Sequence, residues 1–251
     1  SLVREKGLPW PKRMAFKALR TGRWAQNLFF RGGSLAQAML FHRLPKTSGL
    51  RRRFPVPKVD KDQVVPRLAA RSFRSRHDAY YPAGDDTQTV ILFTGCSANY
   101  VFPKIAEATL WTLGRLGRGV QIPTDQMSRK NLYAFADNYP QAPVIVVCSS
   151  GVYMFKRMYP GLFPPGEESR MAADLAERTY DISEYLVHKV GIDVLSAQIT
   201  NPVQISTTYH DPCHLNRGQG VYAEPRKLLE LACPDCFVPL RDADRCCGLG
   251  G

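Results

Sequence analysis

The chain has 251 residues, of which 44% are hydrophobic and 22% charged, as in folded globular proteins and unlike disordered or collagen-like chains. Seven cysteines in this background favour metal binding or redox chemistry over a disulfide framework. No membrane-spanning helix is expected, because the most apolar stretch, residues 24–44, is interrupted by polar side chains that include Gln26, Asn27 and Arg31.

The net charge of +12 is concentrated in the amino-terminal third of the chain. Residues 1–80 contain 19 Lys and Arg against 4 Asp and Glu, whereas residues 81–251 contain 15 against 18. The basic segment is either a solvated linker surface or a docking surface for an acidic partner subunit or for anionic lipid headgroups. No nucleic-acid partner is expected, since no nucleic-acid binding motif accompanies the charge.

The first part of the chain predicts a basic helical and linker segment over residues 1–86. Apolar residues at helical spacing predict short helices at 11–19 and 24–44, with Gly32-Gly33 breaking the second. Residues 51–57, Arg-Arg-Arg-Phe-Pro-Val-Pro, predict an extended basic linker, because proline disfavours helix at the residue before it.

The remainder predicts an α/β fold with parallel sheets, in two units at residues 87–200 and 201–251. In the first unit, apolar runs predict strands at 87–94, 119–123 and 144–147, and helical patterns lie at 103–116, 171–178 and 182–190. A strand at 204–209 opens the second unit. The β-α-β order is typical of an open layered architecture.

Cysteines follow the predicted strands and supply the strongest chemical signal. Cys96 and Cys213 each come after a strand and before a helix, where the helix dipole favours a thiolate. Cys213 is followed by 32 residues and then by Cys246-Cys247-Gly248. Adjacent cysteines fit one tetrahedral ion poorly, but they can reach different irons of a polynuclear cluster. We therefore interpret the carboxyl-terminal stretch as half of an iron–sulfur cage, with glycine letting the backbone approach the cluster closely.

Two motifs carry a family resemblance. Tyr209-His-Asp-Pro-Cys-His-Leu215 and Asp244-Arg-Cys-Cys-Gly248 resemble the cysteine-rich CCG domain family, which includes the B subunit of heterodisulfide reductase and the iron–sulfur subunits of glycolate and D-lactate dehydrogenases. Residues 218–229 are more similar to the glycolate/lactate branch. The resemblance covers residues 88–251. It implies two Rossmann-like cysteine-rich repeats that hold [4Fe–4S] clusters, cubane or non-cubane.

The resemblance also implies a set of site residues. The expected metal ligands are Cys96, Cys148, Cys213, Cys246 and Cys247, and the expected cofactor-contacting residues are His210, Pro212, His214 and Gly248. The two histidines either donate hydrogen bonds to cluster sulfur or cap the turn. Buried structural thiols are the alternative interpretation of the cysteines. Cys233 and Cys236 form a C-x-x-C pair that invites a zinc or redox interpretation, but we expect it to be structural.

The first unit departs from the family pattern. When the spacing from Cys213 to Cys246 is applied to Cys96, the paired cysteines of the first unit are expected at positions 129 and 130. These positions are Arg129 and Lys130, which cannot ligate iron. In addition, Cys148-Ser-Ser-Gly151 lacks the second cysteine of the family's CxxCG motif. The family's amino-terminal ferredoxin domain and the second unit's CxxC are also not seen. Either a cluster has been lost or stretches are omitted from this sequence. We expect omission, because Cys96 and Cys148 both remain.

The function implied by the resemblance is that of an iron–sulfur electron-transfer subunit of a respiratory oxidoreductase. Its expected partners are an FAD-containing flavoprotein that oxidises glycolate or D-lactate, ferredoxin-type clusters, and a quinone or membrane subunit. The expected location is the cytoplasm, with peripheral contact on the inner face of the membrane. Two alternatives stay open: a cluster that itself reduces a disulfide, and a non-redox interaction module that works through the basic segment.

Overall fold

The computed structural model describes residues 22–44, 49–54, 64–84, 88–123 and 128–247, with a few single positions before residue 22. The predicted helix at 11–19 lies largely outside these residues, as do residues 55–57 of the predicted linker. The described part is a mixed α/β structure in which a small antiparallel sheet precedes a larger, mainly parallel one.

The amino-terminal part is built on one long helix. Helix α1 (Arg23–Leu40) continues through Gly32-Gly33, so the predicted break is wrong. The glycines are tolerated because α1 is held against the segment around Leu68: the Gln37 side chain accepts a hydrogen bond from the Leu68 amide at 2.8 Å, and a Cβ on Gly33 would lie only 2.9 Å from the Leu68 side chain. Close packing therefore explains Gly33.

Three short strands follow α1. Strand β1 (Phe41–Arg43) pairs antiparallel with β2 (Gly49–Arg52), and β2 pairs antiparallel with β3 (Val65–Pro66). Residues 51 and 52 are therefore in a strand and not in a free linker. A 3₁₀ turn at Phe73–Ser75 leads into the main domain.

The main sheet has the strand order β4-β6-β5-β7-β8. Its strands are β4 (Tyr80–Tyr81), β5 (Thr89–Phe93), β6 (Gly119–Gln121), β7 (Val144–Val146) and β8 (Thr179–Asp181), and only the β4–β6 pairing is antiparallel. Strands β5, β6 and β7 confirm the three predicted strands of the first unit. The sequence pattern does not predict strand β8.

Helices cover both faces of this sheet. They are α2 (Gly95–Tyr100), α3 (Pro103–Arg115), α4 (Ser128–Asn138), α5 (Ser149–Tyr153) with a π-helical turn Met154–Met158 and a 3₁₀ turn Tyr159–Gly161, α6 (Glu167–Glu177), α7 (Ile182–Tyr185) with a π-helical turn Leu186–Val190, and α8 (Ile192–Gln198). The alternation of β5 divides the core: Val90 and Leu92 pack with α3, whereas Ile91 packs with α4, α5 and α6. The predicted helices at 103–116, 171–178 and 182–190 are confirmed.

Residues 201–247 form no second sheet. Their one strand-type pairing is a single parallel bridge between Thr207 and Phe237, so the predicted strand at 204–209 is wrong. Residues 201–206 are exposed, and no neighbouring strand buries a face of this stretch. The two helices of this part are α9 (Asn216–Gln219) and α10 (Ala223–Ala232). Leu228 and Leu231 of α10 pack against the core of the main domain.

No helix among the described residues is both long enough and apolar enough to cross a membrane.

Candidate metal centre

Cys96 and Cys148 follow the two central strands of the main sheet. The chain leaves β5 for β6 on one side and later returns to β7 on the other side, so the winding of the sheet reverses between β5 and β7. Ligands in open α/β sheets collect beyond the carboxyl ends of the strands at such a switch point. The structure thus places this cysteine pair at the position where the architecture favours a ligand.

Cys96 is the second residue of the short helix α2 and does not stand before a helix as expected. Burial raises its pKa above the ordinary value, the nearby Arg74 guanidinium lowers it, and Cys148 raises it further. Part of Cys96 still reaches solvent, which limits the effect of burial. Burial thus shifts the pKa of the Cys96 thiol in the direction opposite to the one expected at a helix N-terminus.

Cys213 lies in a turn. The Pro212 carbonyl accepts hydrogen bonds from the amides of Leu215 and Asn216, both at 2.9 Å, and this closes the turn that leads into α9. Cys213 therefore stands in a tight turn and does not end a strand. The Cys213 thiol is half-buried.

The turn that carries Cys213 contacts helix α5, which begins directly after Cys148. Ser150 Oγ and His214 Nδ1 are 3.0 Å apart, and the Gln219 side-chain Nε2 donates to the Ser149 carbonyl at 3.4 Å. The rings of Tyr153 and His214 pack with centroids 5.2 Å apart. A Cβ on Gly218 would lie 2.7 Å from the Tyr153 ring, so only glycine permits this approach without displacing the ring. The two cysteine-bearing segments are thus in direct contact.

The segment that leads into Cys246 and Cys247 is held beside the same turn. The Asp211 amide donates to the Ala243 carbonyl at 2.8 Å, His210 Nε2 donates to the Arg245 carbonyl at 2.9 Å, and the Arg217 guanidinium bonds Asp244. Both cysteines are exposed. Gly248 lies outside the described residues.

His210 and His214 both bond protein groups. His210 fixes the segment before Cys246, and His214 bridges to Ser150 after Cys148. Each therefore connects two cysteine-bearing segments, a role that goes beyond capping its own turn.

A buried ion pair that sequence reasoning missed fixes the base of the Cys213 turn. The Asp211 side chain is 6% exposed and accepts two hydrogen bonds from Arg226 of α10, at 2.7 and 2.8 Å. In the sequence, Arg226 stands out only as part of the family-like Glu224-Pro-Arg226 motif. Arg226 lies on the second helix after the motif His210-Asp-Pro-Cys213. This position is the sequence signal from which the Asp211–Arg226 pair could have been predicted.

Cys233 and Cys236 lie away from this arrangement. Cys233 is buried at the end of α10, where its thiol donates to the Leu229 carbonyl at 3.0 Å. Cys236 is half-buried, and its sulfur lies 4.0 Å from the Gln204 side-chain oxygen. These contacts are those of structural thiols.

Known proteins resemble this chain along much of its length. A sequence profile of the CCG family, described as a cysteine-rich domain, matches residues 207–251. Lactate utilization protein A of Bacillus licheniformis is 31% identical over 180 residues, which cover 64% of this chain and 73% of that protein. The chain belongs to the CCG cysteine-rich domain family.

Other members of the family extend the comparison. An uncharacterized iron–sulfur protein of Methanococcus maripaludis is 31% identical over 202 residues, which are 72% of this chain. The B subunit of the CoM/CoB fumarate reductase of Methanothermobacter marburgensis is 33% identical over 174 residues, which are 63% of this chain. The chain spans only about a third of these two proteins, 36% and 32% of their lengths. No solved structure matches it.

The donor chemistry of the CCG segments fits an iron–sulfur cluster. The Cys213 turn contacts both the segment after Cys148 and the segment before Cys246, and cysteine thiolates are the ligands that hold the iron of such clusters. The sulfur atoms themselves are not gathered: no group of three or more His, Cys, Asp or Glu side chains in the described part of the chain is arranged to hold a metal ion. The Cys213 turn therefore lies between the Cys148 and Cys246 segments, whereas Cys96 follows β5, the strand that pairs with β7.

Proposed function

We propose that the chain is an iron–sulfur electron-transfer subunit of a multisubunit oxidoreductase. The observation that supports this most strongly is the contact between the start of α5, directly after Cys148, and the turn that carries Cys213. This contact lies at the switch point of the main sheet. This contact brings two cysteine-bearing segments that are far apart in sequence to the strand ends where ligands collect in open α/β sheets. The similarity to the iron–sulfur protein of Methanococcus maripaludis supports the same proposal.

In this proposal the ligands come from both predicted units, residues 87–200 and 201–251. Cys213, Cys246 and Cys247 would hold the [4Fe–4S] cluster, cubane or non-cubane, with Cys96 and Cys148 facing it from the first unit. The cluster would supply one-electron chemistry. The chain's own groups keep the ligand segments in place: His210 through the Arg245 carbonyl, and His214 through Ser150.

The electrons would come from a flavoprotein. The name of the Bacillus relative concerns lactate utilization, which supports an FAD-containing partner that oxidises D-lactate or glycolate. Ferredoxin-type clusters would carry the electrons to this chain, and a quinone or membrane subunit would accept them. The complex would work in the cytoplasm, or at the inner face of the membrane.

Anaerobic reconstitution tests the proposal. The chain is incubated with iron and sulfide, desalted, and analysed for bound iron, acid-labile sulfide and the electron paramagnetic resonance signal of a cluster. We expect Cys213→Ser and the double variant Cys246→Ser/Cys247→Ser to lose most of the iron and the signal.

Cys233→Ser is the matched control, because Cys233 is buried away from the three segments. It should bind as much iron as the unchanged chain. A wild-type chain that retains no iron or sulfide would rule the proposal out. Equal loss in the Cys213 and Cys233 variants would point to general thiol chemistry.

A second candidate function is reduction of a disulfide at the cluster. Cys246 and Cys247 are exposed, so a substrate could reach a cluster held by them, and the Methanothermobacter relative is part of a CoM/CoB fumarate reductase. A small-molecule disulfide added to the reduced, reconstituted protein would then change its paramagnetic resonance spectrum. An unchanged spectrum favours simple electron transfer.

A further inference from the structure

A second apolar stripe runs along the outer side of α1. Trp24, Leu28, Leu35 and Met39 are 77%, 58%, 66% and 67% exposed. Their spacing of four, seven and four residues puts them on one side of the helix. A helix that packs on a domain needs one apolar side. In α1 that side is a different one, which contains Phe30.

The inner side of α1 is accounted for by Phe30 and its neighbours. The Phe30 ring stacks on Tyr100 with centroids 3.9 Å apart, and the Tyr100 hydroxyl donates to Asn27 at 3.1 Å. The outer stripe therefore has no part in holding α1 to the domain. Large exposed apolar patches of this kind mark interaction sites.

Arginines surround the carboxyl-terminal end of the stripe. Arg31, Arg43, Arg53 and Arg67 line a cavity of about 570 Å³ that Leu35 of the stripe also lines. A neighbouring cavity of about 740 Å³ shares Arg43 and Arg67 and adds Arg71 and Lys104. No carboxylate is found among the described residues that line either cavity. Arg76, which also lines the second cavity, pairs with Glu107. The surface thus combines an apolar ridge with a cluster of positive charges.

We propose that this face of the chain docks on an anionic phospholipid bilayer, with α1 lying in the plane of the interface. Apolar side chains would enter the boundary between headgroups and acyl chains, Trp24 would sit at the level of the headgroups, and the arginines would bind lipid phosphates. A helix with Trp and Leu on one exposed apolar side and arginines beside it is the pattern of helices that lie in a membrane interface, and this favours a lipid surface over an acidic protein surface. The inference does not rest on the proposed iron–sulfur function.

Vesicle sedimentation tests the proposal. The 251-residue chain is mixed with vesicles of phosphatidylcholine alone, or of phosphatidylcholine and phosphatidylglycerol in equal parts, at low ionic strength. We expect it to sediment with the mixed vesicles and to stay in solution with the neutral ones. Arg31→Gln/Arg43→Gln/Arg67→Gln should weaken binding about a hundredfold, since each basic residue at such a surface contributes a few-fold or more. Trp24→Ser/Leu28→Ser/Leu35→Ser/Met39→Ser should weaken it at least about tenfold.

The matched controls replace exposed residues that line neither cavity. Trp111→Ser removes a tryptophan that is 67% exposed on α3, and Arg157→Gln/Arg170→Gln/Arg241→Gln removes three exposed charges outside the arginine cluster. Both should bind vesicles like the unchanged chain. All the replaced side chains are exposed, so circular dichroism should report an unchanged fold.

Three results would overturn the proposal. The first is equal binding to neutral and anionic vesicles, and the second is equal weakening by the control variants. The third is a chain that binds neither vesicle type and elutes as a dimer on gel filtration, whereas the variant with the stripe replaced elutes as a monomer. The stripe would then join two copies of the chain. Iron content is measured in parallel. A loss of vesicle binding at constant iron content separates this inference from the proposed function.

Discussion

Arg226 binds the Asp211 carboxylate through two parallel hydrogen bonds, Nη1–Oδ1 at 2.7 Å and Nη2–Oδ2 at 2.8 Å. The same guanidinium donates to the Tyr222 carbonyl at 2.6 Å and lies over the Tyr209 ring, 5.5 Å from its centroid. Asp211 comes two residues before Cys213. The pair therefore connects α10, which packs on the main domain, to the turn that carries the central predicted ligand.

Replacing Arg226 with alanine is expected to destabilise the fold by about 3 kcal/mol, because it leaves a buried carboxylate without its partner. Urea unfolding of the apoprotein measures this directly. Arg226→Lys keeps the charge but loses the two-pronged geometry, so an intermediate loss is expected.

Arg217→Ala is the matched control for this change. It breaks the Arg217–Asp244 ion pair, whose side chains are each 58% exposed, and exposed pairs contribute only about 0–1 kcal/mol. Equal losses for Arg226→Ala and Arg217→Ala would show that the Arg226 pair has no special role.

Gly218→Ala is expected to separate the two cysteine-bearing segments. The added methyl group would lie 2.7 Å from the Tyr153 ring, and such overpacking costs about 1–3 kcal/mol. Thermal unfolding should show the loss, and reconstitution should give less bound iron. Gly161→Ala adds the same group where nothing lies within 4 Å, so it should change neither quantity. Normal iron binding by Gly218→Ala would mean that the close approach at Tyr153 is not needed for the site.

The central sheet was predictable because its strands carry their own signal. Val144, Ile145 and Val146 are fully buried, so β7 appears in the sequence as an uninterrupted apolar run. Strand β8 is Thr-Tyr-Asp and has no such signal. β8 is a strand because it pairs with β7, in which Val146 lies beside Asp181. The three residues of β8 alone do not indicate this pairing. The small sheet of β1, β2 and β3 was missed for the same reason.

The sequence predicted the cysteines of the site but not the contacts that hold the cysteine-bearing segments in place. The cysteines stand in motifs that resemble a known family, whereas Ser150 and His214 are 64 positions apart and share no motif. Arg74, whose charge lowers the pKa of Cys96, belongs to the basic segment and gave no sign of reaching the sheet. Contacts of this kind depend on the folded geometry, so a single sequence does not reveal them.

Asp181→Asn is expected to flatten the pH dependence of stability. Burial raises the pKa of Asp181 above the ordinary aspartate value, and two hydrogen bonds from Ser183 only partly offset this. In the pH range between the ordinary and the raised value, the folded state holds more protons than the unfolded state. The free energy of unfolding of the wild type therefore falls as pH rises through that range. The asparagine variant lacks this decrease and should be at least as stable as the wild type at neutral pH.

Urea titrations between about pH 4, near the ordinary aspartate pKa, and neutrality check this prediction. Asp174→Asn is the control: it removes a carboxylate whose side chain is 59% exposed, and its pH profile should follow that of the wild type. A profile for Asp181→Asn as steep as that of the wild type would contradict the burial argument.

Removal of iron is expected to lower the thermal midpoint of the wild-type chain and to leave that of Cys213→Ser unchanged. A ligand that binds only the folded state stabilises it, and a metal that joins three segments ties the Cys246 segment and the Cys213 turn to the main domain. A stabilisation of about 2–3 kcal/mol would raise the midpoint of a chain this size by roughly 5–10 °C. Scans of reconstituted and chelator-treated protein, taken without oxygen, measure the difference.

Cys233→Ala should start from a lower midpoint, because it empties a buried position, yet it should lose as many degrees on chelation as the wild type. Identical midpoints for loaded and stripped wild-type protein would show that the cluster, if bound, does not bridge these segments.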